Sequence, residues 1–365
     1  MISDDFGIGG ITIKGFELGL AFQTDIYFGI MGIGYDTNEA IDPQYPNFID
    51  ALVSQGFINY KAYSLYLDSL EDNTGSILFG GIDTDKYSGP LSIIPILKDP
   101  SDNTYQDFLV PLNSLAMVDD TGNATEFLTS TIDIVLDSGT TYMLLPASAI
   151  SKIVNFLDAV SDDSGNFFVN CDNFQNSNIS WTFVLGKNTT IRVPISEMVI
   201  PLDLVGISLR YPPFTNTCKL GAEEASKGGP YLVGDVFLRS AYVVYDLTNN
   251  QIGIAQTSFD STSSNIQEID KSAKGIPALV GHGTNTLAPS TPASTSTTAT
   301  IALTPTTRAV STATSAPGVS LASSVTAASS AKPTSGATLG QAGPDIVLML
   351  GVSALSMLLG RLIAR

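Results

Sequence analysis

The chain is poor in histidine. It has one among its 365 residues, His282, and this residue lies in a low-complexity region. Because serine and cysteine nucleophiles commonly depend on a histidine base, a Ser-His or Cys-His catalytic system is excluded. A histidine-ligated metal site is excluded too, and we expect neither a metal nor a cofactor. Acid–base chemistry would have to come from carboxylates, with Lys and Tyr as weaker candidates.

Basic residues are also scarce. The chain has 17 Lys and Arg against 35 Asp and Glu, which gives a formal net charge of −18. Such a surface repels phosphate backbones, so nucleic acid is not an expected partner.

The chain has only two cysteines, Cys171 and Cys218. They could be two unrelated buried thiols, or one disulfide that closes a loop of about 48 residues and stabilises the fold by a few kcal/mol. Three glycosylation acceptor patterns, at Asn123, Asn178 and Asn188, indicate secretion. Secretion favours the disulfide.

The first residues do not form a signal peptide, because Met1-Ile-Ser-Asp-Asp has neither a basic start nor an apolar segment. Since other features indicate secretion, we expect the true start to lie upstream.

The pattern of the first 257 residues predicts a mainly β fold. Short alternating apolar stretches with glycine turns begin at Phe6 and recur along the chain. Two helices are expected, one at Asn47–Gly56 with Asn47 as its cap and one near Ala147–Val160.

One apolar run ends abruptly at a carboxylate. Ile134–Leu136 is typical of a buried strand, and Asp137-Ser138-Gly139-Thr140-Thr141 follows it directly. Gly139 permits a tight turn, and the hydroxyl groups surround the carboxylate. A rigid turn that presents one acid at the end of a sheet suits a catalytic aspartate, although a plain surface turn has the same local composition.

The composition changes near residue 258, where Ser, Thr, Ala and Pro take over. Such a stretch cannot bury enough apolar area to fold, so we expect a disordered stalk. Small residues, with Ser335 and Gly336 as candidate attachment points, precede a polar spacer and an apolar run of about 15 residues. This layout favours a GPI-attachment signal over a membrane-spanning helix, which needs about 20 residues, although Arg361 and Arg365 suit the latter.

Several ordered motifs resemble pepsin-like aspartic endopeptidases. Tyr231–Leu247 resembles the closing segment of the second lobe, and Asp137–Thr141 resembles its catalytic turn. Phe28–Tyr35 and Gly75–Gly81 are similar to first-lobe segments, and the spacing of the two cysteines fits the second-lobe disulfide. With the stalk and anchor, the chain resembles the fungal GPI-anchored, yapsin-like branch.

The resemblance implies a bilobal, mainly β fold with an incomplete N-terminal lobe and a C-terminal hydrophobic helix. The expected parts are a partial first lobe with the interlobe connection at 1–95, a second lobe at 96–257, a stalk at 258–336 and an anchor signal at 337–365. It also implies that Asp137 is catalytic, that the Gly139 N–H and the Thr140 hydroxyl hold its outer oxygen, and that Ser138 grips the turn of the opposite lobe. Val233 and Gly234 would lie beneath the turn.

The chain departs from the family in one respect. No Asp-Thr/Ser-Gly turn or flap tyrosine precedes Phe28, and Asp120-Thr121-Gly122 is typical of a hairpin turn. We therefore expect a truncated, inactive, monomeric aspartic endopeptidase that acts on proteins or peptides at the outer face of the plasma membrane or in the cell wall. The alternative is a non-catalytic surface-binding or wall-structural protein on a peptidase scaffold.

Overall fold

The computed structural model describes residues 1–23, 29–39, 43–71, 74–174, 177–202, 214–284 and 348–351. These residues form short strands with few helices, which confirms the mainly β prediction.

The strands are β1 Ile2–Ile8, β2 Ile11–Leu18, β3 Ala62–Tyr66, β4 Ser76–Phe79, β5 Gly81–Asp83, β6 Tyr87–Pro95, β7 Leu109–Val118, β8 Ala124–Glu126, β9 Ile132–Leu136, β10 Met143–Leu145, β11 Val160–Ser161, β12 Phe167–Asn170, β13 Ser180–Leu185, β14 Thr189–Pro194, β15 Val199–Pro201, β16 Thr217–Leu220, β17 Ala222–Glu224, β18 Leu232–Val233, β19 Ala241–Asp246, β20 Gln251–Thr257, β21 Ile266–Glu268, β22 Val280–His282 and β23 Leu348–Gly351. The helices are α1 Phe48–Ser54, α2 Ala147–Phe156, α3 Ile195–Met198 and α4 Asp235–Leu238, with 3-10 turns at Asp36–Asn38 and Cys171–Asn173.

Both predicted longer helices are present. Asn47 caps α1, because its side chain accepts hydrogen bonds from the backbone N–H groups of Ile49 and Asp50. The chain leaves this helix at Gly56, whose φ of 77° favours glycine. Helix α2 starts where it was predicted and ends at Phe156, before the predicted Val160.

A central sheet of seven strands has the order β22-β6-β20-β19-β3-β4-β23. Strand β19, from the closing segment, and β20, which follows it, lie between strands of the predicted first lobe. The ring of Tyr63 on β3 stacks on that of Tyr245 on β19 at 4.7 Å, which places two fully buried aromatics at the middle of the sheet.

A second sheet contains the predicted catalytic strand. Its order is β14-β13-β7-β9-β18-β10-β17, with β8 paired to β7. β9 is antiparallel to β7 and parallel to β18, so its backbone is bonded on both sides. Next to it, a four-stranded sheet of β11, β12, β16 and β15 carries the Cys171–Cys218 disulfide, as predicted.

The predicted start of the stalk at residue 258 is wrong. Residues 258–284 form a folded segment, here called the strap, in which β21 pairs with β5 and β22 pairs with β6. Ile269 and Ile276 of the strap are buried in a second apolar cluster. His282, assigned above to a low-complexity region, lies in β22. Ala273 and Leu279 of the strap pack against the same cluster, so the segment is held by apolar contacts as well as by strand pairing.

The remaining C-terminal predictions lie almost entirely outside the described residues. These are the rest of the stalk, Ser335 and Gly336, and the apolar segment except for β23, which pairs with β4. Within the described part of the chain, no helix is long and apolar enough to cross a membrane.

Candidate active site

Asp137 lies at the end of β9, held on both sides by neighbouring strands. Its N–H donates to the Val233 carbonyl at 3.0 Å, and the preceding Leu136 N–H donates to the Phe108 carbonyl at 3.1 Å. The strand therefore fixes the backbone of Asp137 while its carboxylate is half-buried at the open end of the sheet.

The turn that follows orients this carboxylate. The Gly139 N–H donates to Oδ1 at 2.8 Å, and the Thr140 hydroxyl donates to Oδ2. The resemblance implied that both donors hold one outer oxygen; in the structure each holds a different oxygen. The two bonds together hold the carboxylate in one orientation.

Val233 and Gly234 lie beneath the turn, as the resemblance implied. A Cβ at Gly234 would collide with the Thr140 carbonyl. The close approach lets the Asp235 N–H bond the Thr140 carbonyl at 2.8 Å and the Val236 N–H bond the Thr141 carbonyl at 3.1 Å. The turn is therefore attached to α4 by its backbone, which keeps Asp137 in a fixed position.

Sequence reasoning missed a second carboxylate beside Asp137. The β7–β9 register pairs Leu109 with Val135, and continuing it places Asp107 opposite Asp137. Asp107 is half-buried and accepts a hydrogen bond from the Asn38 side chain at 3.0 Å. Burial, then the charges of Asp137 and Asp99, raise the pKa of Asp107. Only the strand register reveals this neighbour.

A third carboxylate, Asp235, lies within the closing segment Tyr231–Leu247. It is 4% exposed. Burial raises its pKa to about 8, an effect opposed by the positive charge of Arg239 and reinforced by the negative charge of Asp137. A buried carboxyl next to a proposed catalytic one is a recognisable sign of a site, but its burial depends on the folded structure and could not be read from the motif.

Two buried tyrosines, Tyr63 and Tyr245, are within electrostatic range of Asp137. Burial raises the pKa of Tyr63 and of Tyr245, and the charge of Asp137 contributes in both cases. Both hydroxyls therefore stay neutral. Tyr245 also packs on Phe108 with ring centroids 4.6 Å apart.

The other residues predicted from the sequence lie partly in the turn after Asp137 and partly away from it. Ser138 is half-buried beside Asp137, and Thr141 is buried in the turn. Asp120-Thr121-Gly122 forms the β7–β8 hairpin turn, stabilised by the Asp119 carboxylate, as predicted. The sequon residues Asn123, Asn178 and Asn188 lie in that turn, before β13 and between β13 and β14. The described residues contain no group of three or more metal-binding side chains.

The structure thus presents one carboxylate, oriented by a Ser-Gly-Thr turn and supported by a β-sheet. The chain belongs to the eukaryotic aspartyl protease family, whose model matches residues 1–257. The aspartic proteinase of Irpex lacteus has a similar crystal structure, with a TM-score of 0.57 and 25% identity over 72% of this chain and 78% of the other. The bilobal pepsin-like fold predicted above is therefore confirmed.

Curated fungal relatives support the same family. "Probable aspartic-type endopeptidase OPSB" of Arthroderma otae is 36% identical over 77% of this chain and 60% of its own length. The Aspergillus fumigatus protein of that name is 37% identical over 76% and 56%. "Candidapepsin-3" of Candida albicans is 35% identical over 72% and 61%. The chain thus spans somewhat more than half the length of these relatives.

Proposed function

We propose that this chain carries the second-lobe half of the catalytic site of an aspartic-type endopeptidase, with Asp137 as one of two aspartates that activate a water molecule. The observation that carries the proposal is the pair of hydrogen bonds from Gly139 and Thr140 to the two oxygens of Asp137. They hold the carboxylate in one orientation before substrate arrives, as catalysis requires.

The chemistry needs a second carboxylate facing Asp137. Two carboxylates in contact share a proton, because both cannot ionise cheaply. The ionised one takes a proton from the water that attacks the peptide carbonyl, and the protonated one donates to the carbonyl oxygen and then helps to protonate the leaving amine.

Neither carboxylate near Asp137 suits that role. Asp235 is buried beneath the turn and cannot reach a substrate. Asp107 lies just before β7, the strand that pairs with β9, whereas a partner on the far side of the water, from the opposite lobe, is required. We therefore expect the 365 residues alone to be inactive, and the second aspartate to come from sequence outside them.

The proposed setting is the outer cell surface, where the enzyme would act as a glycosylated, GPI-anchored monomer on proteins or peptides. The disulfide supports an oxidising compartment. A Candida albicans relative carries the name "Secreted aspartic protease 3". The small residues, spacer and apolar run of the C-terminus support the anchor.

The test is reconstitution. The N-terminal part of the Aspergillus fumigatus relative that this chain does not match is fused to Met1, and cleavage of a peptide library is measured at acid pH with and without pepstatin. We expect pepstatin-sensitive cleavage by the fusion. In the fusion, Asp137→Asn should lower kcat at least about a thousandfold, because it removes half of the proton-sharing pair.

The controls are the chain alone, expected to be inactive, and the fusion with Asp133→Asn, which removes an exposed carboxylate from the same strand and should retain activity. Cleavage that survives Asp137→Asn would refute the proposal. A folded but inactive fusion would favour the non-catalytic surface-binding or wall-structural alternative.

A further inference from the structure

Asp235 is deeply buried, and one of its carboxyl oxygens makes no hydrogen bond to the described residues. Its side-chain Oδ1 has no hydrogen-bond partner among the described residues, although its own N–H is bonded to the Thr140 carbonyl of the catalytic turn. A buried polar atom without a partner is costly, and an ionised carboxylate in that position would be far more so.

The charged groups around Asp235 do not neutralise it. Arg239, on the next turn of its own chain segment, is bound instead by Glu197 of α3: the Arg239 Nε donates to the Glu197 carboxylate, and its Nη2 donates to the Glu197 carbonyl at 2.8 Å. This pair is buried, with side-chain exposures of 4% and 6%. Arg239 is thus already engaged by one carboxylate.

The remaining titratable neighbours offer Asp235 no positive charge. Asp137 faces it from the catalytic turn and carries the same charge when ionised. Tyr245 faces it from β19, and its hydroxyl, also without a partner among the described residues, is buried. An ionised Asp235 would therefore repel Asp137 through a region from which water is excluded.

We propose that Asp235 is a positioning residue, which keeps the catalytic turn in place only while its carboxyl group is protonated. A neutral carboxyl supports Thr140 and Thr141 from below without adding charge next to Asp137. An ionised carboxyl would draw water beneath the turn and separate α4 from it, breaking the bonds from the Asp235 and Val236 N–H groups. The inference concerns the folded chain and does not depend on the proposed peptidase activity.

The sign of the pH dependence follows from the two states of the chain. The pKa of Asp235 is about 8 in the folded protein and near its ordinary value in the unfolded chain. Between these values the folded state holds one more proton than the unfolded state, so stability is lost as the pH rises through this window towards about 8. Below the ordinary pKa of Asp, the contribution of Asp235 to the free energy of unfolding is fully present.

The experiment uses the whole chain and compares wild type with Asp235→Asn, which has the same shape and stays neutral at every pH. Urea unfolding is measured from pH 5 to pH 9. We expect the two proteins to be similar in stability at pH 5, and the wild type to lose more stability than the variant by pH 9. Asp133→Asn, an exposed carboxylate removed from β9, should follow the wild type.

A local measurement separates positioning from general stability. At pH 9, hydrogen exchange of the residue 235 and Val236 amides should be about tenfold faster in the wild type than in Asp235→Asn. One pH unit above the pKa of Asp235, the ionised carboxyl outnumbers the neutral one by a factor of about ten. Asp235→Ala should be less stable than Asp235→Asn at pH 5, because it also leaves a cavity. Equal pH profiles for wild type and Asp235→Asn, or a large loss of stability in Asp235→Asn at pH 5, would overturn the proposal.

Discussion

The N-terminal hairpin and the sheet that carries Asp137 differ in how completely their apolar side chains are covered. Among the described strands, β1 and β2 pair with each other and with no third strand. Of the ten large apolar side chains that are exposed in the described residues, six lie in the first 31 positions: Met1, Ile2, Leu20, Phe22, Ile30 and Met31. In the other sheet, Trp181, Phe183 and Ile134 are completely buried.

This contrast shows where the core is complete. A chain that leaves several large apolar side chains exposed in one region has an unsatisfied interface there, whereas the sheet around β9 needs nothing further. The proposed catalytic residue, Asp137, lies next to the sheet whose apolar side chains are buried. We therefore expect substitutions to have large effects at buried positions of that sheet and of the strap, and small effects at the exposed positions among residues 1–31. Ile11, Ile13 and Phe16 of β2 are buried and do not belong to that exposed set.

The largest effect is expected from the disulfide. Replacing both Cys171 and Cys218 by alanine should lower the free energy of unfolding by about 4 kcal/mol, because the bridge restricts a long loop in the unfolded chain. Urea unfolding of the purified chain measures this. Reduced wild type should behave like the double variant, and a loss below about 1 kcal/mol would show that the bridge adds little.

A slightly smaller effect is expected in the strap. Ile269 is fully buried, and its N–H donates to the Gly80 carbonyl at 2.9 Å. Ile269→Ala should cost about 3 kcal/mol by removing apolar contacts and leaving a cavity. The control is Ile266→Ala, an exposed position in the same segment, which should change little; equal effects at the two positions would place the strap outside the cooperative fold.

The smallest effect is expected in the hairpin region. Phe22 is 95% exposed, so Phe22→Ala should change the free energy of unfolding by less than about 0.5 kcal/mol. The matched substitution Phe183→Ala, at a fully buried position, should cost about 4 kcal/mol. Calorimetric unfolding of both variants tests the contrast, and a destabilised Phe22→Ala would mean that the hairpin region is already covered in solution.

Local features could be predicted from the sequence. The Asn47 cap, the turn after β9 and the Asp120 hairpin depend on neighbouring residues, so their composition indicates their geometry. The cysteine pairing was also predictable, since the chain has only two.

Long-range features could not be predicted. The position of Asp107 opposite Asp137 depends on the register between β7 and β9, which no short pattern encodes. The polar composition of the strap predicts disorder, whereas its folding depends on Ile269 and Ile276, which pack against residues of distant strands. The neutral state of Asp235 likewise follows from burial by several elements and the engagement of Arg239 with Glu197.

The strap also determines how this protein would respond to mechanical force. A pull applied to the strap at Thr284 would load three bonds first: the Ser258 hydroxyl donates to the Thr284 carbonyl, the Gly283 N–H to the Tyr87 carbonyl and the His282 N–H to the Thr84 carbonyl. Under tension these bonds at the edge of the central sheet would break before any bond near β9. The strap would detach first, and the turn that holds Asp137 would keep its geometry.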